Sequence, residues 1–213
     1  MSTKAILFDL DGTLTDSGEG IINAASLALE HFGIPVPDRQ AMKVFVGPPL
    51  RDTLVKFGVP EDRTDEAITV FRSYYTVKGI LENAPYPGIP ELLRILKESG
   101  HHLYVATSKP EVMAIRVLDT FDLSRYFDRI CGASLDETRS KKSEIISCLM
   151  DEIGNQFPLL MVGDTAFDVI GAKAHGIDTI GVSWGYGSVS EMAEAGAKAI
   201  AHSAEELFSL LNE

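Results

Sequence analysis

Apolar residues follow two different rhythms along this chain. Lys4 to Leu10 (KAILFDL) is a short, nearly unbroken apolar run that ends at an acidic cluster, which predicts a central strand buried on both faces. Gly20 to Gly33 (GIINAASLALEHFG) and Glu61 to Gly79 (EDRTDEAITVFRSYYTVKG) instead space their apolar residues as helices do and end on glycine. Shorter helical segments are predicted at Asp38 to Val46 and Arg51 to Phe57. Beyond the Pro/Gly-rich connector ENAPYPGIP (82–90), helix and strand alternate. Helices Glu91 to Ser99, Glu111 to Phe121, Lys142 to Ile153 and Phe167 to His175 are each followed by a strand, at His102 to Thr107, Arg129 to Ala133, Pro158 to Gly163 and Asp178 to Val182. Such alternation implies right-handed crossovers and a doubly wound parallel α/β sheet. The helical block is then an all-helical cap inserted after the first strand. Residues 17–82 form that cap, and 1–16 with 83–213 form the α/β core.

Composition narrows the picture. A chain of 213 residues with 45% hydrophobic content can bury one core and a subdomain. No run approaches the ~18 apolar residues of a membrane helix, and MSTK leads directly into a strand, so a soluble, cytoplasmic protein is expected. A formal net charge of −12 argues against a nucleic-acid polymer as partner, since such binding rests on Lys and Arg neutralising phosphates. Cys131 and Cys148 lack metal or redox spacing and read as small buried hydrophobes. The five histidines show no ligand spacing; His101 and His102, just ahead of a strand, read as exposed.

Chemistry collects at one edge. Ligands of a doubly wound sheet bind beyond the carboxyl ends of the strands, where strand order reverses. Asp9, Asp11 and Thr13 end the first strand, Thr107, Ser108 and Lys109 the second, and Gly163 and Asp164 the fourth, with Asp168 one turn on. Lys141 and Lys142 open a helix at the same edge. Each element has a plain explanation alone: Asp11-Gly12 as a turn, Asp164 to Asp168 as a helix start, the lysine pair as a solvated face. Together they suit one task. Clustered carboxylates need a hard cation, Mg²⁺ takes carboxylates and phosphate oxygens, and an aspartate beside it can attack phosphorus while a second acts as acid and base.

DLDGTLTDS, VATSKP, the SKK before a helix and VGDTAFD resemble, in order, the four motifs of the haloacid dehalogenase superfamily. VGPPL, ENAPYPGI, SLDETRSKK and IGVSWGYGS resemble its phosphoglycolate phosphatase-like and 5'-nucleotidase-like branch. The resemblance implies Asp9 as nucleophile, Asp11 as acid and base, and Mg²⁺ on the Asp9 side chain, the Asp11 carbonyl and Asp164, with Asp168 a direct or supporting carboxylate. Thr107 and the Ser108 amide would hold the phosphoryl oxygens. Lys142, or its neighbour Lys141, would be the motif lysine. Related sequences often carry Asn where this one has Ser108, which puts a substrate contact in question.

The cap is less informative. Arg51, after Gly47-Pro48-Pro49-Leu50, suits a substrate carboxylate or phosphate, and suits a surface arginine equally. Trp184 to Gly187 borders the cleft or packs on the sheet edge. The function implied is a Mg²⁺-dependent phosphomonoesterase acting on a small phosphorylated metabolite, with phosphoglycolate and nucleoside monophosphates as the classes to test. A sugar-phosphate mutase and a non-enzymatic phospho-acceptor module are the alternatives. Monomer and homodimer both remain open.

Overall fold

The computed structural model describes residues 3–136, 138–154 and 157–212. The first apolar run forms β1 (Ala5–Phe8), every residue of it buried. A two-residue strand, β2 (Thr15–Asp16), then leads into helices α1 (Gly18–His31), α2 (Arg39–Met42), α3 (Leu50–Lys56) and α4 (Thr64–Tyr75). The chain returns through β3 (Ala84–Pro85), antiparallel to β2. From there it alternates: α5 (Ile89–Glu98), β4 (His102–Pro110), α6 (Glu111–Thr120), β5 (Arg129–Ala133), α7 (Lys142–Ile153), β6 (Leu159–Gly163), α8 (Ala166–Lys173), β7 (Asp178–Val182), α9 (Val189–Ala195), β8 (Ala199–Ala201) and α10 (Ala204–Leu211).

The main sheet is six-stranded and parallel, in the order β5-β4-β1-β6-β7-β8. After β1 the chain lays down β4 and β5 on one side, then crosses back to place β6, β7 and β8 on the other. Strand order therefore reverses at β1, and the crevice lies beyond Phe8. Successive side chains of the strands enter different cores. Ile6, Phe8, Val105, Val162 and Ile180 join the larger apolar cluster, which continues into the helical insertion through Leu14, Ile21 and Phe71. Leu7, Ala106, Cys131 and Met161 pack on the other face against Ile145, Ile146 and Leu149 of α7. With no wet face, these strands read as apolar runs rather than alternating ones.

Several elements differ from the sequence reading. β4 runs on to Pro110, with an irregular register between Thr107 and Pro110. The helix expected over Glu61 to Gly79 is α4 flanked by tight 3₁₀ turns at Glu61–Arg63 and Gly79–Leu81. β8, α9 and α10 complete the sheet edge without having been foreseen, and β2 and β3 lie where only a connector was expected. His101 is buried, not exposed: its Nδ1 accepts from the Lys4 amide at 3.2 Å, and burial pushes its pKa down. Cys131 is buried as expected, whereas Cys148 is half-buried, its Sγ accepting from Arg139 Nη1 at 2.9 Å. Of the SLDETRSKK segment, Glu137 lies outside the described residues. No described helix is long and apolar enough to cross a membrane.

Candidate active site

β1 stops at Phe8 and delivers Asp9 and Asp11 to the crevice, both buried. The Asp9 amide still donates to the Val162 carbonyl at 2.9 Å, so its backbone is held by the neighbouring strand. Lys142, the first residue of α7, points back under the sheet edge. Its Nζ lies 2.9 Å from Asp9 Oδ1 and 2.8 Å from Asp168 Oδ1, and donates to the Ala106 carbonyl at 2.8 Å. Lys141 is exposed. The structure thus separates the two adjacent lysines, and Lys142 is the one beside Asp9.

Asp164 follows β6 directly and is 1% exposed. Thr13 Oγ1 donates to its Oδ1 at 3.1 Å and the Tyr186 amide to its Oδ2 at 2.8 Å. Backbone crowds it closely. A Cβ on Gly12, whose φ is +86°, would lie 2.2 Å from Asp164 Oδ2, and one on Gly185 would lie 2.3 Å from the same atom. Only glycine permits that approach, which explains both ends of the contact: the D-G step after β1 and the W-G-Y-G loop after β7. Asp168 is the third residue of α8, in its first turn. Its Oδ2 accepts from the Thr165 amide and hydroxyl at 3.0 and 2.8 Å, closing a capping box.

Asp9, Asp164 and Asp168 each offer a carboxylate oxygen, all within 4.8 Å of one another, and all three are buried. Burial, with repulsion from its neighbours, pushes Asp9 up to about 6 against the pull of Lys142. Burial first, then Asp168 and Asp9, pushes Asp164 up to about 8. Burial alone would lower Lys142, but Asp168 and Asp9 hold it above its ordinary range. Three enclosed carboxylates against one ammonium leave an excess of negative charge. An oxygen-lined site of that charge fits a hard divalent cation.

The other expected residues lie around this centre. Thr107 is buried within β4, and the β1–β4 register, Phe8 opposite Val105, carries it just past the end of β1. Ser108 lines a cavity of about 390 Å³ together with Asp11 and Lys109 on the sheet side. Phe45, Leu50, Phe71 and Tyr75 of the insertion form the facing wall, with Arg51 and Arg72. Arg51 is therefore at the cavity, and its guanidinium donates to Thr64 and Asp65 of α4. Trp184 and Tyr186 tie the last loop to the hinge. Trp184 Nε1 donates to the Thr13 carbonyl at 3.1 Å, and Tyr186 Oη accepts from the Gly18 amide at 2.8 Å and donates to Asp16.

Sequence reasoning missed three contributors. Thr13 was noted only as a strand-end hydroxyl, Gly185 only as part of an aromatic loop, and Lys109 only as a strand-end cation. The G-Y-G spacing just past the end of β7 was the available signal for the second.

These features occur together in a known family. The model of haloacid dehalogenase-like hydrolases matches residues 6–182, and the chain belongs to that family. It is 44% identical over 189 residues to a 5'-nucleotidase of Pseudomonas aeruginosa, spanning 88% of this chain and 86% of that one. Tyrosine-protein kinase PtkA of Mycobacterium tuberculosis is 40% identical over 95% of this chain and 70% of its own length. A phosphoglycolate phosphatase of Aquifex aeolicus is 35% identical over 86% of each chain. The crystal structure of a predicted phosphatase from Clostridium acetobutylicum superposes with a TM-score of 0.95 at 41% identity, covering 100% of this chain and 99% of the other. With these relatives the chain is a hydrolase of the phosphoric monoester class.

Proposed function

We propose that the protein is a Mg²⁺-dependent phosphomonoesterase that hydrolyses a small phosphorylated metabolite through an aspartyl phosphate on Asp9. One observation carries the reading: Asp9 lies in a buried cluster with Asp164 and Asp168, in contact with Lys142, two residues before Asp11, which lines the cavity. Mg²⁺, held by Asp9, Asp164 and the Asp11 carbonyl, would offset the charge of the phosphoryl oxygens. Both oxygens of Asp168 are committed, one to Lys142 and one to Thr165, so we assign it to aiming Lys142 and fixing the start of α8.

The remaining steps belong to side chains. Asp9 attacks phosphorus, forming an O–P bond as the ester P–O bond breaks, and Asp11 gives its proton to the departing oxygen. Asp11, now a carboxylate, takes a proton from water as the water oxygen attacks the same phosphorus. The Asp9–phosphorus bond breaks, inorganic phosphate leaves and both aspartates are restored. Lys142, Thr107 and the Ser108 amide stabilise the charge on the transferring group.

The cavity favours a bulkier ester over phosphoglycolate. At about 390 Å³ and walled by Phe45, Leu50, Phe71 and Met113, it suits a leaving group with an apolar or aromatic body. A two-carbon acid would fill little of it. That supports a nucleoside monophosphate as the first substrate to try, in keeping with the 5'-nucleotidase relative.

The test is phosphate release from nucleoside 5'-monophosphates, phosphoglycolate, hexose phosphates and p-nitrophenyl phosphate, with Mg²⁺ and with EDTA. Metal-dependent turnover led by a nucleotide is expected. Turnover led by phosphoglycolate would overturn the cavity argument, and no turnover on any ester would overturn the phosphatase reading.

A further inference from the structure

The reaction outlined above makes no use of Lys109, yet this residue is one of two buried lysines at the sheet edge. It is 7% exposed, and its Nζ donates to Asp11 Oδ1 at 2.8 Å and Oδ2 at 2.7 Å. On its far side the ammonium lies 4.8 Å from the centroid of the Tyr75 ring. The three groups come from three parts of the chain: the loop after β1, the end of β4, and the last turn of α4 in the insertion. The irregular register at the end of β4 lifts Lys109 out of the sheet pattern, and its amide is held by Thr107 Oγ1 at 3.3 Å.

The two buried lysines divide the two aspartates. Lys142 contacts Asp9 and Asp168, while Lys109 contacts Asp11. An ammonium bonded to both oxygens of a carboxylate fixes the plane of that group, which otherwise rotates about its terminal bond. The Tyr75 ring, itself 2% exposed, lies against the ammonium, and both members of the ion pair are buried. Ion pairs and cation–π contacts both gain from burial. Tyr75 belongs to the insertion, so its contact with Lys109 exists only while the insertion is seated on the core.

We propose that Lys109 is a positioning residue that aims the Asp11 carboxyl group at the leaving oxygen, and that Tyr75 makes this aim depend on the cap being seated. The inference rests on the phosphomonoesterase reading of the site. In the acid form of Asp11, one oxygen stays on Lys109 and the other presents its proton to the ester. As the ester P–O bond breaks, the departing oxygen keeps the bonding pair and takes that proton. Lys109 gives up none of its own.

The test compares kcat/KM on two esters of nearly equal size, phenyl phosphate and p-nitrophenyl phosphate. The first needs its leaving oxygen protonated; the second departs as a stable phenolate. Lys109→Met is expected to lower kcat/KM by ~10²-fold on phenyl phosphate and by less than ~10-fold on p-nitrophenyl phosphate. Tyr75→Leu, which leaves every charge in place, is expected to show the same selectivity at smaller size, and it carries the test if Lys109→Met does not fold. Equal losses on both esters would make Lys109 a phosphate-binding or purely structural residue and overturn the proposal, as would unchanged kinetics. A wild-type protein that hydrolyses neither these two esters nor any other ester of the panel above overturns the underlying reading as well, and that result is visible before any variant is made.

Discussion

On the strand-end wall of the cleft, Asp9, Asp11, Lys109, Lys142, Asp164 and Asp168 are all less than 10% exposed, and every one of them touches a charged or hydrogen-bonding partner within 3.1 Å. On the insertion wall the contacts are rings. Phe45 meets Phe57 at 4.7 Å between centroids, Phe71 stacks on Tyr75 at 5.4 Å, and the guanidinium of Arg51 is engaged within the insertion itself. The first wall is a set of directional contacts that tolerates no substitution without leaving a buried charge unpaired. The second is a surface of shape and apolar area, where replacement changes fit by degrees. Under the proposed function, chemistry common to many esters sits on the first, and choice among esters on the second.

The largest effect that would sharpen this contrast is at Asp9, the proposed nucleophile. Asp9→Asn is expected to remove turnover by at least ~10⁴-fold on every ester, p-nitrophenyl phosphate included. A loss confined to some esters would place Asp9 on the selective side and break the comparison. Lys142→Met should lower kcat by ~10²- to 10³-fold on all esters. Because it leaves Asp9 and Asp168 buried together, it should also cost ~3–5 kcal/mol in urea unfolding.

Metal and pH give the next effect. Asp9 and Asp164 have folded pKa values raised to about 6 and about 8. Their folded state therefore holds protons that the unfolded chain has lost, and the metal-free protein is stabilised at low pH and loses that stability as pH rises from about 4 through 8. The melting temperature in EDTA should fall over that window. Mg²⁺ should restore it more at pH 8 than at pH 5, and Asp164→Asn should flatten the EDTA profile. A profile in EDTA that rises with pH would contradict the electrostatic account of the first wall. Smallest is Leu50→Ala on the second wall. It is expected to lower kcat/KM for a nucleotide by ~10-fold while leaving phosphoglycolate hydrolysis within ~2-fold.

The same contrast governs what the sequence disclosed. Asp9, Asp11, Asp164 and Asp168 were legible because they sit at fixed offsets from strands that are apolar on both faces, so local pattern and global position agree. The sequence left Lys141 and Lys142 open as the motif lysine, and only the folded arrangement puts Lys142 beside Asp9. Lys109 was not legible as a partner of Asp11, since that contact depends on an irregular register at the end of β4 and on a ring from a helix more than thirty residues earlier. β8 and the two-residue strands β2 and β3 escaped notice because they are too short to carry a period. His101 was misjudged because the amide its ring accepts from belongs to Lys4, 97 residues earlier in the chain. The insertion wall was the least readable of all, its helices being visible but not which rings face the cavity.

Tyr186 ties two of these parts together, its amide on Asp164 and its hydroxyl between Gly18 and Asp16 at the base of α1. In mechanical terms it is a fulcrum. A lever pivoting on the short β2–β3 ribbon would turn about a point already bolted to a carboxylate of the centre. Its far end would sweep the widest arc, and its near end would scarcely move. Under the proposed function, such a cap would trade esters in and out while the carboxylates stay in register from one turnover to the next.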